Sequence, residues 1–372
     1  MSAFFTPACF LSGASRHARA APHAASRFTP PARLRLPFGP PAGRDPPTAD
    51  PYAREAAGFA RALERNSAYA VREVWADDAA PAATSSADKR IVRSHHATIV
   101  DWMADEARAF GWGNSVLHRA VRLLARLFTL DMEEDAALGE LSVRLPTVQR
   151  IAHTCLLVSA RLEGRDLIDW MADPLATLSE LSSGAWSRDA FARDAWEVPR
   201  ALSFRLNPPT VAAALSPHVD AMWRAHPAAG QAARAVELLA HFLGDATLHA
   251  SDLLAQLPSL VGEACFEIAW DSSPIRAPRP RPPMAPPSPR APPPAPFEHF
   301  VHDADARRAC AARILAVATA LLAVPAVPGE WGTAVCDAYR SLRPDVTRIP
   351  LRARGARVCA SSWSCTDTAT LA

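Results

Sequence analysis

Lysine is all but missing from this chain: Lys89 is the only one, so arginine carries almost the whole of the positive charge. With 40 basic and 38 acidic residues the net charge is +2, too even to supply the basic footprint of a nucleic-acid binder. No apolar run reaches the roughly 18 to 20 residues that a membrane span needs. The longest, 314–327, is interrupted at Pro325 and stopped by Pro328, so it reads as a core helix. No CxxC pair exists among Cys9, Cys155, Cys265, Cys310, Cys336, Cys359 and Cys365, and several of these lie in apolar helical runs, which suits buried, reduced thiols. Period-two alternation is absent too, which excludes sheet and leaves an all-α class. No nucleophile, base and oxyanion donors come together as a helical enzyme would require.

What is present is helix. From Val148 to Ala160 nearly every turn carries Val, Ile, Leu, Ala or Cys, leaving no broad polar face, so this stretch must be covered on several sides. It is the expected central helix of a bundle, and Arg161 and Glu163 mark where it emerges. Around it the spacing predicts a short amphipathic N-terminal helix over 51–65, with Tyr52, Ala56, Phe59 and Leu63 on one stripe, lying outside the main body. A helix over 93–112 follows, with Ile99, Trp102, Met103, Ala107 and Phe110 facing inward. The next runs from Asn114 or Ser115 to about Phe128, with Val116, Leu117, Ala120, Val121, Leu124 and Phe128 inward and Arg119, Arg122 and Arg126 lining the opposite side. Further helices are expected over 167–181, broken or kinked at Pro174, and over 187–204. Asn207, Pro208, Pro209 and Thr210 form a stop signal and a domain boundary. Beyond it lie expected helices over 211–224, 231–244, 258–270, 306–324 and 330–341.

Composition divides the chain further. Residues 1–49 form an Arg/Ala/Pro-rich tail whose first 44 residues hold six arginines and no acid. That is transit-peptide composition, but the same bias runs through the whole chain, so a disordered tail is the favoured reading. Twelve prolines in the 23 residues 274–296 make the insert at 271–297 extended rather than packed. A polar tail occupies 346–372. The two domains are therefore 50–206 and 207–345.

Several segments, in this order, resemble the cyclin family. His95 to Met103 is similar to a first-helix signature ending in Asp-Trp, Asn114 to Phe128 to the second helix with its Leu-His-x-Ala-Val core, and Leu202 to Val211 to the Leu-x-Phe-x-Leu-x-x-Pro-Thr junction between two boxes. Glu237 to Leu248 and Leu257 to Ala269 look like the helices that follow. The resemblance covers about 52–341 and is closest to the A/B-type, cell-cycle branch.

It implies two tandem five-helix cyclin boxes preceded by a helix. It also implies a non-enzymatic, cofactor-free subunit that binds and activates a cyclin-dependent Ser/Thr kinase in nucleus and cytoplasm, without nucleic acid or membrane as partner. The implied kinase-binding positions are Arg161, Leu162, Glu163, Ala125 and Ala195. Arg161 stands where the family has Lys, Gly164 where it has a second acid, and His96 and Ala125 where it pairs a buried Arg with an Asp. Ala195 replaces a kinase-facing Glu, and Pro199 should kink that helix. The implied groove for Arg-x-Leu substrate proteins is Ile99, Trp102, Asp105, Val148 and Gln149. The departures keep a second reading open, a cyclin-fold adaptor that binds other proteins without activating a kinase.

Smaller signals weigh less. His95 and His96 point about 100° apart on a helix and cannot share a metal, and His118 is expected to pack in the core. The acids at 131–140 form a solvated turn. Ser273-Pro274-Ile275-Arg276 is similar to a kinase consensus, and Arg33 to Leu36 to a destruction signal.

Overall fold

The computed structural model describes residues 53–66, 69–71, 93–132, 141, 143, 147–164, 173–182, 184–273, 300–323, 335 and 339. Tyr52, Arg33 to Leu36, Pro274 to Arg276, the polar tails, the proline-rich insert, most of the acidic loop and four of the cysteines lie outside the described residues. Among the described residues every regular element is helical.

A helix α1 (Ala53–Glu64) precedes a first bundle of α2 (Arg93–Ala109), α3 (Asn114–Met132), α4 (Val148–Glu163), α5 (Pro174–Leu181) and α6 (Arg188–Ala201). The Asn207–Pro209 break follows. The Thr210 hydroxyl then accepts from the Ala213 N–H at 3.2 Å, starting α7 (Val211–Ala225) with a side-chain cap. After a 3-10 turn come α8 (Gly230–Thr247), the one-turn α9 (Ser251–Leu254), α10 (Pro258–Asp271) and α11 (Ala304–Ala323). Of the expected C-terminal helix only Val335 and Tyr339 are described, and both are helical and buried.

Each bundle is built on one enclosed helix. Every residue of α4 from Ile151 to Ala160 is buried, and the helix packs against α3, α6 and α2. In the second bundle α10 has that place, buried from Val261 to Trp270 between α7, α8 and α11. Its approach to α7 depends on Gly262, where an added Cβ would lie 3.0 Å from the Ala214 Cβ. Cys155, Cys265 and Cys310 are buried free thiols, and burial raises all three above the ordinary thiol range, Cys310 to about 12.

Three local features show what spacing alone left open. Of the break or kink expected at Pro174 the described residues show a helix start: the Asp173 carboxylate accepts from the Leu175 and Ala176 N–H groups, and the proline occupies the first turn of α5, where its missing N–H costs nothing. Phe59 of α1 faces solvent. It is 67% exposed, because α1 packs lightly on α7 and is held by a polar contact in which Glu64 accepts from the Ser259 N–H at 2.8 Å and its hydroxyl at 2.5 Å.

The third feature is the arginine face of α3. Arg122 and Arg126 are buried, their guanidinium groups donating to the Leu254 carbonyl at 2.8 Å and the Arg205 carbonyl at 2.6 Å. Both carbonyls lie at or just beyond helix C-termini, where no intrahelical donor remains, and a long apolar stem lets an arginine reach them from inside. Burial pulls both side chains down to about 10. They titrate far above neutral pH and remain charged there. The helix that looked half solvated is therefore enclosed on the arginine side as well.

Candidate protein-docking surface

The end of α4 leaves the core abruptly. Arg161 is exposed and has no ionic partner among the described residues, Leu162 is 48% exposed, and Gly164 ends the helix with φ 139°. Glu163 is fixed by Arg119 of α3, Nη1 to Oε1 2.8 Å, and the same guanidinium donates to the Ser159 carbonyl at 3.3 Å. A charged, oriented rim thus surrounds an exposed leucine at the tip of a buried rod.

A second exposed cluster closes α6. The helix continues through Pro199 to Ala201. Ser203 and Phe204 then adopt left-handed backbone, φ 51° and 55°, which for a bulky residue is strained. The Ser203 N–H donates to the Arg200 carbonyl at 2.9 Å, the Phe204 N–H to the Pro199 carbonyl at 2.8 Å, and Arg126 grips the Arg205 carbonyl from below. The turn sends Phe204 outward, 59% exposed, beside Trp196, 61% exposed, with the rings edge to face and centroids 5.9 Å apart. The two clusters contact α3 at Arg119 and Arg126, positions separated by about 10 Å along a helix of 1.5 Å rise.

Of the kinase-contact positions implied by resemblance, Arg161, Leu162 and Glu163 are brought together at the rim. Ala195 is half-buried on α6 beside Trp196. Ala125 is buried on α3. Of the groove positions, Ile99 and Val148 are buried, while Trp102, Asp105 and Gln149 are half-buried. Trp102 sets its edge on the His153 ring at 4.4 Å, and Asp105 pairs with Arg108. Next to it, burial and the Asp105 charge raise Glu106 to about 7.

His118 does more than pack. Its Nε2 lies 2.8 Å from Asp245 Oδ1, and the other carboxylate oxygen accepts from Asn114 Nδ2 at 2.8 Å and the Tyr339 hydroxyl at 2.7 Å. His118 and Asp245 are both buried, so the cluster ties α3 to the second bundle. Sequence reasoning missed it, although Asp245 inside the apolar run of α8 was a legible signal, since an acid is rarely buried unless paired. His96 is also structural: its Nε2 is 2.9 Å from the Leu248 carbonyl, and burial lowers it to about 4. Among the described residues no group of three or more metal-ligating side chains forms, and no helix is long and apolar enough to cross a membrane.

The arrangement is therefore an all-helical scaffold with exposed apolar side chains on rigid supports. No family model and no curated protein matches the chain. Solved structures that match it include a viral cyclin from herpesvirus saimiri, with TM-score 0.42 and 13% identity over 58% of this chain and 82% of that one.

Proposed function

We propose that the chain is a cyclin-like, non-enzymatic regulatory subunit that binds and activates a cyclin-dependent Ser/Thr kinase and brings it substrates in cell-cycle control. The observation that carries this reading is the tip of α4, where a helix buried over Ile151–Ala160 releases Arg161 and Leu162 to solvent while Arg119 holds Glu163. The ordered motifs, above all the two-box junction at Leu202 to Val211, support it. In this reading Leu162 enters an apolar site on the kinase and Arg161 donates to carbonyls of a kinase loop, its fixed fork suiting two acceptors at once. Such contacts hold a kinase helix in the position at which its Lys–Glu pair forms. The compartments that follow are nucleus and cytoplasm.

Affinity purification from the native cell tests the proposal. A kinase should co-purify with the wild-type chain and fall at least about tenfold with Arg161→Glu, since a truncated or reversed hot-spot contact costs about 2 kcal/mol or more. Equal recovery with the variant, or no kinase with either chain, would overturn the reading. The substrate groove is tested separately with an Arg-x-Leu peptide, whose binding should be lost in Trp102→Ala. Equal, negligible binding to both chains removes the groove.

The half-buried Ala195 and the enclosed Ala125 favour one alternative, an adaptor of the same architecture that binds another protein without activating a kinase. Kinase capture without any rise in kinase activity would select it.

A further inference from the structure

The charges around the Trp196–Phe204 pair become one-sided once ion pairs within the chain are set aside. Asp194 is held by Arg150, Nε to Oδ2 2.5 Å, and Glu197 by Arg200 one turn on. Arg193 and Arg205 are exposed and have no ionic partner among the described residues. Arg193 lies three residues before Trp196, on the same side of α6, and Arg205 directly follows Phe204. The unspent charge beside the two rings is thus positive at both ends, while the acids between are neutralised.

We propose that this end of α6 is a preformed receptor for an acidic amphipathic segment of a partner protein, with Trp196 and Phe204 entering its apolar positions and Arg193 and Arg205 meeting its flanking carboxylates. The inference rests on the reading of the chain as a protein-binding regulator and adds the chemistry that the bound partner presents. Preorganisation comes from the left-handed turn: the strain at Ser203 and Phe204 is absorbed in folding, with Arg126 and two backbone hydrogen bonds holding it, so the backbone that projects Phe204 beside Trp196 needs no ordering on binding. Tryptophan and arginine are the side chains in which interface binding energy concentrates.

Nucleic acid is the poorer fit. Stacked bases need a flat ring face, whereas these rings stand at 66° to each other and form a wedge suited to aliphatic side chains.

The full-length chain is titrated into three labelled probes and followed by fluorescence anisotropy: a helical peptide of about 16 residues with leucines at i and i+4 flanked by glutamates, the same peptide with lysines for the glutamates, and a single-stranded oligonucleotide. The acidic peptide should bind at least about tenfold more tightly than the lysine peptide and should weaken as salt rises. Trp196→Ala should weaken it about tenfold, and Arg193→Glu with Arg205→Glu should invert the peptide preference. These side chains are exposed, so thermal unfolding of the variants should match wild type. Should the double change disturb folding, Arg193→Glu alone must still reduce the acidic preference.

Equal binding of the two peptides, indifference to Trp196→Ala, or tighter binding of the oligonucleotide would overturn the proposal. Arg161→Glu separates the two readings. Kinase capture lost with acidic-peptide binding intact supports both, whereas kinase capture lost on Arg161→Glu but peptide binding indifferent to Trp196→Ala keeps the kinase reading and rejects the acidic receptor.

Discussion

Asp245→Ala should lower the free energy of unfolding by about 3–5 kcal/mol, the usual loss when one member of a buried, hydrogen-bonded charge cluster is removed. The carboxylate is the shared acceptor of His118 and Asn114 on α3 and of Tyr339, at distances of 2.7 to 2.8 Å. Alanine removes both oxygens and leaves buried donors unmatched, each costing about 1–3 kcal/mol. The losses do not add in full, because the donors share one partner. Burial and the Asp245 charge raise the Tyr339 hydroxyl well above its usual range, so it stays a donor at any ordinary pH. Asp245→Asn keeps one acceptor oxygen and should lose roughly half as much. Urea unfolding of wild type and both variants measures this, and a change below about 1 kcal/mol for alanine would show that the cluster does not hold the bundles together.

Acid should weaken the fold through its buried imidazoles. Burial lowers His96 to about 4 and His153 to about 3 from an ordinary 6.5. Since the folded chain binds these protons less readily than the unfolded chain, stability is full above pH 6.5 and falls as the pH drops toward the folded values. At 1.36 kcal/mol per pH unit, each histidine costs about 3 kcal/mol between pH 7 and pH 4. Glu106 works against this loss. Its raised value, about 7, means that the folded chain takes up a proton first and is favoured as the pH falls from 7 toward 4.5.

A substitution at His153 isolates one contribution from that opposing one. The ring is wedged against Trp102 and Phe191, its Nδ1 lies 3.1 Å from the Gln149 carbonyl, and Nε2 is buried without a hydrogen-bond partner. Phenylalanine fits the aromatic surroundings and cannot be protonated. His153→Phe should therefore lose about 3 kcal/mol less than wild type between pH 7 and pH 4. Parallel acid limbs for the two chains in thermal unfolding would show that His153 is not the group that titrates.

The regular part of this fold was legible because its signals are periodic. Most helix bounds fall within a few residues of the reading from spacing, and no helix crosses the stop signal at Asn207–Thr210, after which α7 begins at Val211. What escaped was what side chains do across space. Arg122 and Arg126 share a face with Arg119 and look solvated by periodicity, yet their stems run inward to carbonyls that no sequence rule pairs with them. Phe59 lies on the apolar stripe of a helix read as outside the main body, and what spacing could not show is that Glu64 on Ser259 secures that helix and leaves the ring in water. The Trp196–Phe204 pair was hidden for a different reason: nothing in Leu202 to Arg205 marks two consecutive non-glycine residues in left-handed conformation, and only that turn makes Phe204 protrude.

Arg122 reaches the carbonyl of Leu254 and Asn114 the carboxylate of Asp245, so each half of the molecule finishes the hydrogen bonding of the other. The proline junction that parts them in sequence is consequently no safe place to cut. A fragment ending there would strand a buried guanidinium, and neither half is an exchangeable cassette. Any domain swap must carry both together.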